Sequence, residues 1–162
     1  MNVKERVARE LDRMASGDVD PRRPGLLTLD AEHGRLTSEL VAIDTIGCAF
    51  TQMALATEAL AGAQADDLKQ LGDRLAQRLN YLLEPIGTLE LDIEGFTLQM
   101  RSHPPRRDAD GHTYYELSAR RGGEVRLNRY RKALAETRVV VPAEVTREVF
   151  ARLAADLDAA VQ

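Results

Sequence analysis

The fourteen residues TLELDIEGFTLQMR, positions 88–101, decide how this chain folds. Leu89, Leu91 and Ile93 alternate with Thr88, Glu90 and Asp92; after Glu94-Gly95, Phe96, Leu98 and Met100 alternate with Thr97, Gln99 and Arg101. A period of two belongs to a strand with one buried face. With Glu94-Gly95 as a two-residue turn, Ile93 pairs with Phe96, Leu91 with Leu98 and Leu89 with Met100. Every apolar side chain then lies on one side, so pattern and turn length agree.

The polar stretch SHPPRRDADG, 102–111, is a loop, and a second hairpin follows, 113–121 with 124–132. A two-residue turn at Gly122-Gly123 would set Leu117 against Asn128 and mix the faces. A three-residue loop, Arg121-Gly122-Gly123, instead pairs Leu117 with Leu127 and Ala119 with Val125, and glycine supplies the left-handed residue such a loop needs. Tyr115, Leu117, Ala119, Val125 and Leu127 then point inward. Tyr114, Glu116, Ser118, Arg120, Arg126, Asn128 and Tyr130 point outward. Residues 88–132 therefore read as an antiparallel meander with an apolar face and an arginine-rich polar face.

Working outward, Leu68, Leu71, Leu75, Leu79 and Leu82 form an unbroken helical stripe over 65–83, with Asp66 and Asp67 in its first turn and Pro85 as its stop. Strands occupy 26–57: Leu27–Leu29, Leu36–Ile46 with a bend at Gly47, and Cys48–Thr57, whose alanine content suits a helix as well. Val3, Val7, Leu11 and Met14 mark an amphipathic helix over 2–15, ended by Ser16-Gly17 and followed by a proline-bearing connector at Asp18–Gly25. Val139–Val141 lead into a helix over 142–160, started by Pro142 and striped by Val145, Val149, Leu153 and Leu157. The expected fold is a single α+β domain spanning 1–162, an antiparallel β-sheet packed against amphipathic helices in the order α-βββ-α-ββββ-α.

Composition narrows the function. Aromatic residues make up 4% of the chain and Trp is absent, too few for a base-stacking platform or an aromatic-walled cofactor pocket. No cofactor is expected. The one cysteine, Cys48, excludes an intrachain disulfide and lies in a strand expected to be buried, where a thiol behaves as a small hydrophobe. No apolar run approaches a membrane span and the first residues lack a signal-peptide core, so the expected location is the cytoplasm, with no membrane partner. His33, His103 and His112 sit in or beside expected turns. The short loop allows a two-histidine metal site from His103 and His112 with Asp108 or Asp110, against a favoured reading of all three as solvated loop residues. Neither a nucleophile elbow nor a phosphate-binding glycine loop is present.

The charge distribution stands out. Residues 101–132 hold nine positive charges and four negative ones, a local +5 in a chain of −4, which leaves −9 elsewhere. A basic patch in an acidic protein suits an anionic partner. Arg101, Arg120, Arg126, Tyr114 and Tyr130 are the candidate binding residues, with the two tyrosines as cross-strand neighbours. Two observations weigh against nucleic acid. Arginine outnumbers lysine 19 to 3, a bias of GC-rich coding. The sequence pI is near 5.4, and the same arginines would serve as intramolecular partners of acidic residues.

Helix, three strands, helix, strands, helix, in an acidic chain of this length, resembles the small chaperones of type III secretion. That family has two strands after its central helix where this chain is expected to have four. The resemblance implies a homodimer that holds a protein partner without catalysis. Three functions follow as expectations. The first is a non-enzymatic protein-binding, adaptor or chaperone-like module, partnered by another protein or by itself as a homodimer. The second is binding of an anionic ligand or nucleic acid on the 101–132 face. The third is an enzyme whose site is assembled across the fold.

Overall fold

The computed structural model describes residues 1–16 and 24–162. The expected connector at 18–25 and the Gly17 helix stop lie largely outside them. Three helices and a ten-stranded antiparallel sheet appear in the order α1 (Val3–Ser16), β1 (Gly25–Asp30), β2 (Arg35–Ile43), β3 (Gly47–Ala56), α2 (Ala65–Arg78), β4 (Ile86–Asp92), β5 (Thr97–Ser102), β6 (Arg106–Arg107), β7 (Gly111–Arg120), β8 (Glu124–Ala133), β9 (Val139–Val141), β10 (Ala143–Thr146) and α3 (Arg147–Ala160). The long strands lie side by side as β1-β2-β3-β8-β7-β5-β4. The α+β class and the order helix, strands, helix, strands, helix are as the sequence predicts; β6, β9 and β10 are short additions.

The second hairpin has the expected register: Leu117 opposes Leu127, Ala119 opposes Val125 and Tyr114 opposes Tyr130, around a loop of Arg121-Gly122-Gly123 with Gly123 at φ +101. The first hairpin agrees at its centre, Leu91 against Leu98, and departs at both ends. A bulge between Thr88 and Glu90 leaves Leu89 unpaired, so Met100 faces Thr88 and Leu89 stands in solvent. The turn takes four residues, because the Asp92 carboxylate accepts the N–H groups of Glu94 and Gly95 and closes it early. Ile93 is thereby exposed.

Pro142 does not start a helix. β3 pairs with β8 only over Met53–Ala56, and the two strands then diverge like the arms of a fork. β9 runs in along β8, the chain turns at Pro142, and β10 runs out along the bare Gly47–Phe50 half of β3. Backbone groups that the divergence would leave unpaired are thus bonded. The helix begins at Arg147, with the Thr146 hydroxyl accepting the Val149 N–H at 3.1 Å. Helix α2 likewise ends at Arg78 rather than 83, although Leu79 and Leu82 remain buried. There Tyr81 donates to Asp156 at 2.8 Å and stacks under Arg152, which draws the chain against α3.

All three helices cover one face of the sheet. Leu68, Leu71 and Leu75 of α2 lie over β4 and β5, while α1 packs on α3 and α3 on β3. Phe50 and Phe150 meet edge to face at 5.4 Å within a core built mainly from Leu, Val, Met and Ala. The opposite face of β5, β7 and β8 is uncovered by helix. It carries the candidate residues.

Candidate functional site

Alternation along β7 puts Tyr114 and Glu116 on the helix-free face, and antiparallel pairing brings Arg101 of β5 opposite Glu116 and Tyr130 of β8 opposite Tyr114. The centre of the site is Glu116, 7% exposed. Its carboxylate accepts Arg101 Nη2 at 3.1 Å and both terminal nitrogens of Arg138, at 2.5 and 3.2 Å; Gln99 adds an amide at 3.4 Å. Paired in this way a buried carboxylate is satisfied, and it holds the Arg138 guanidinium even more firmly charged than usual.

The tyrosines are covered by the same arginines. Arg101 lies 4.4 Å over the Tyr114 ring and Arg138 lies 3.9 Å over Tyr130, with the two rings 6.0 Å apart. His112 stacks on Tyr114 at 5.7 Å. Tyr114, expected to stand in solvent, is 3% exposed. Its ring braces an arginine and offers no open face to a base.

Arg120 and Arg126 are not part of this cluster. They lie at the hairpin end and share Glu124, at 3.9 and 2.8 Å. Arg129 points through to the inner face, where Glu84 at 3.0 Å, the Thr113 hydroxyl and the Tyr115 ring enclose it. Arg131 binds Asp108 through two hydrogen bonds. Five of the nine cations of 101–132 are thus ion-paired, counting Arg101, Arg120, Arg126, Arg129 and Arg131. Arg121 rests on the Phe96 ring at 4.3 Å. The counter-charges come from the sheet, the β6–β7 loop and the α2–β4 connection, not from the helices.

Sequence reasoning missed Arg138 and Glu84. Neither lies within the meander, and each reaches its partner only because a distant segment docks on it, β9 along β8 for Arg138 and the turn after α2 for Glu84. Local spacing holds no trace of either contact.

Elsewhere, His33 is not the solvated loop residue expected. Its N–H and that of Glu32 donate to the buried Asp158 carboxylate at 2.8 and 3.2 Å, and its Nδ1 lies 3.3 Å from the same group. Glu32, His33 and Asp158 are the one trio of potential metal ligands that converge among the described residues. The hydrogen bonds already account for Asp158, which pins the β1–β2 turn to α3. His103 and His112 do not converge with Asp108 or Asp110; His112 belongs to β7. Burial pushes the Cys48 thiol up to about 12, which leaves it protonated and unreactive. Asp44 and Asp108 are held below the usual carboxylate range, by the N–H groups of Gly47 and Ile46 and by Arg131 respectively, the opposite of what a general acid needs.

No helix among the described residues is long and apolar enough to cross a membrane. Comparison with protein-family models, curated proteins and solved structures finds no match to this chain.

Proposed function

We propose that the protein is a non-enzymatic protein-binding module. One contrast carries this reading: most of its arginines are satisfied within the chain, while large apolar side chains are left in solvent along two rims of the sheet. Leu83, Leu89 and Ile93 lie in or beside β4, and Leu134, Val139 and Val140 lie in or just before β9. Scattered apolar residues are ordinary on a surface, but grouping at sheet rims suits an interface. The element order supports a chaperone-like role of the type III secretion kind, and the single buried thiol suits a cytoplasmic setting.

The β9 rim fits a second copy of the chain. Val139-Val140-Val141 is uncharged and β-branched, so two copies meet there without like-charge repulsion. Light scattering after size exclusion tests this: a dimer is expected, reduced to a monomer by Val140→Lys. A monomer at all concentrations, joined to strong and steeply salt-dependent binding of single-stranded DNA, refutes the reading and favours an anion-binding face.

A further inference from the structure

We propose that the free edge of β4 accepts an extended segment of another protein in which apolar residues alternate with lysine or arginine, adding it to the sheet as a further strand. This rests on the protein-binding reading and names the partner's chemistry at one rim.

β4 ends the sheet and is paired on one side by β5 alone. Such an edge presents unpaired N–H and C=O groups, a template for another strand. Three further features mark this strand. Leu83, just before the strand, is 97% exposed at φ +66. The left-handed conformation costs a leucine about 1–2 kcal/mol, and here no burial offsets it. Gly87, within the strand, has no atom within 4 Å of where a Cβ would stand, and its φ lies outside the left-handed region. Packing does not require glycine there, but a bare backbone lets another backbone approach. A shallow groove of about 460 Å³ lies over Pro85 to Leu89 on the β5 side of the strand, walled by Arg101 and His103.

Charge chooses the occupant. Glu90 and Asp92 lie in this strand and Glu94 in the turn that follows it. Unlike Glu84, Glu116 and Glu124, they form no ion pair among the described residues. The nearest wall cation, Arg101, is committed to Glu116. A second copy laid edge to edge would bring its own Glu90 and Asp92 across a strand spacing of about 4.8 Å, with Glu94 close by. Self-pairing at β4 is therefore opposed. A strand presenting cations to the carboxylates and apolar side chains to Leu83, Leu89 and Ile93 complements both features.

The test uses fluorescence anisotropy of the whole chain with three labelled ten-residue peptides, alternating Val with Lys, Val with Glu, and Gly with Lys. The Val–Lys peptide is expected to bind about tenfold or more tightly than either other peptide at roughly 50 mM salt. The paired substitution Glu90→Lys and Glu94→Lys, at exposed positions, is expected to transfer the preference to the Val–Glu peptide, with circular dichroism confirming the fold. Equal binding of all three, binding of none, or an unchanged preference in the double variant overturns the proposal. Should the peptides fail while the chain still dimerises through its β9 rim, the edge inference falls and the protein-binding reading stands. Failure of both measurements removes both.

Discussion

Replacing Glu116 with alanine should loosen the fold and unmask a polyanion-binding surface in one step. The carboxylate receives three hydrogen bonds from guanidinium groups, one from Arg101 and two from Arg138. Hydrogen bonds to charged groups contribute ~1.5–3 kcal/mol each, so their sum would set a ceiling well above 4 kcal/mol. The arginines are 38% and 36% exposed, however, and recover much of that by hydration once the carboxylate is gone. Their stacking on Tyr114 and Tyr130 also survives. A loss of about 2–3 kcal/mol is expected, which lowers Tm by about 4–12 °C for a chain of this size. Urea unfolding followed by circular dichroism measures it, and Glu116→Gln, which keeps the size and some acceptor capacity, should lose less. The same substitution raises the local charge by one and releases two arginines, so retention on heparin and binding of single-stranded DNA should increase over wild type. A Glu116→Ala variant within ~0.5 kcal/mol of wild type, with no gain in polyanion binding, would falsify the claim that this face is neutralised from within.

Three further perturbations test the fold. A Cβ at Gly34 would stand 2.2 Å from the Ala56 carbonyl oxygen, and Gly34→Ala should cost about 3 kcal/mol in a chemical melt; a neutral outcome would mean that the β1–β2 turn does not pack on β3 as described. Leu127→Ala removes a fully buried side chain and should cost ~2–5 kcal/mol, whereas an effect under 1 kcal/mol would place Leu127 on the wrong face. Cys48 is expected to resist a thiol reagent until the protein unfolds. Because its folded value of about 12 lies above its ordinary 9.0, its contribution is complete below pH 9 and is lost as pH rises toward 12. Stability should thus fall across that range less steeply in Cys48→Ala, and prompt labelling of the native protein would contradict the burial.

Legibility followed the range of the interaction. The register of the 113–132 hairpin could be read because two constraints, alternation and the number of loop residues, act on adjacent segments. The same logic gave Leu91 opposite Leu98. It failed at Leu89 and Ile93, where a bulge and an aspartate-closed turn each displace one step of the pattern. The Asp92-to-Gly95 spacing was a usable signal, since an Asp side chain closing on the following N–H groups is a turn chemistry of its own. Arg101, Tyr114 and Tyr130 were brought together by strand pairing and so were predictable as a group. Their buried anchor needed Arg138, which arrives from a segment whose position depends on the divergence of β3 from β8. Pro142 misled for the same reason: a proline suits a helix start and a sheet corner equally, and only the tertiary context chooses.

That corner also bears on the order of events during synthesis. Before residues 139–146 emerge from the ribosome, the only ladder that joins β1–β3 to the meander is the four-residue one between Met53–Ala56 and Glu124–Leu127. Half of β3 then waits with its hydrogen-bonding groups bare, and α3, which packs on both β3 and α1, has yet to be made. The sheet therefore cannot close before β9 and β10 are made. β9, β10 and α3 form the clasp, and until they arrive the growing protein is itself a strand-seeking client for whatever guards new polypeptides.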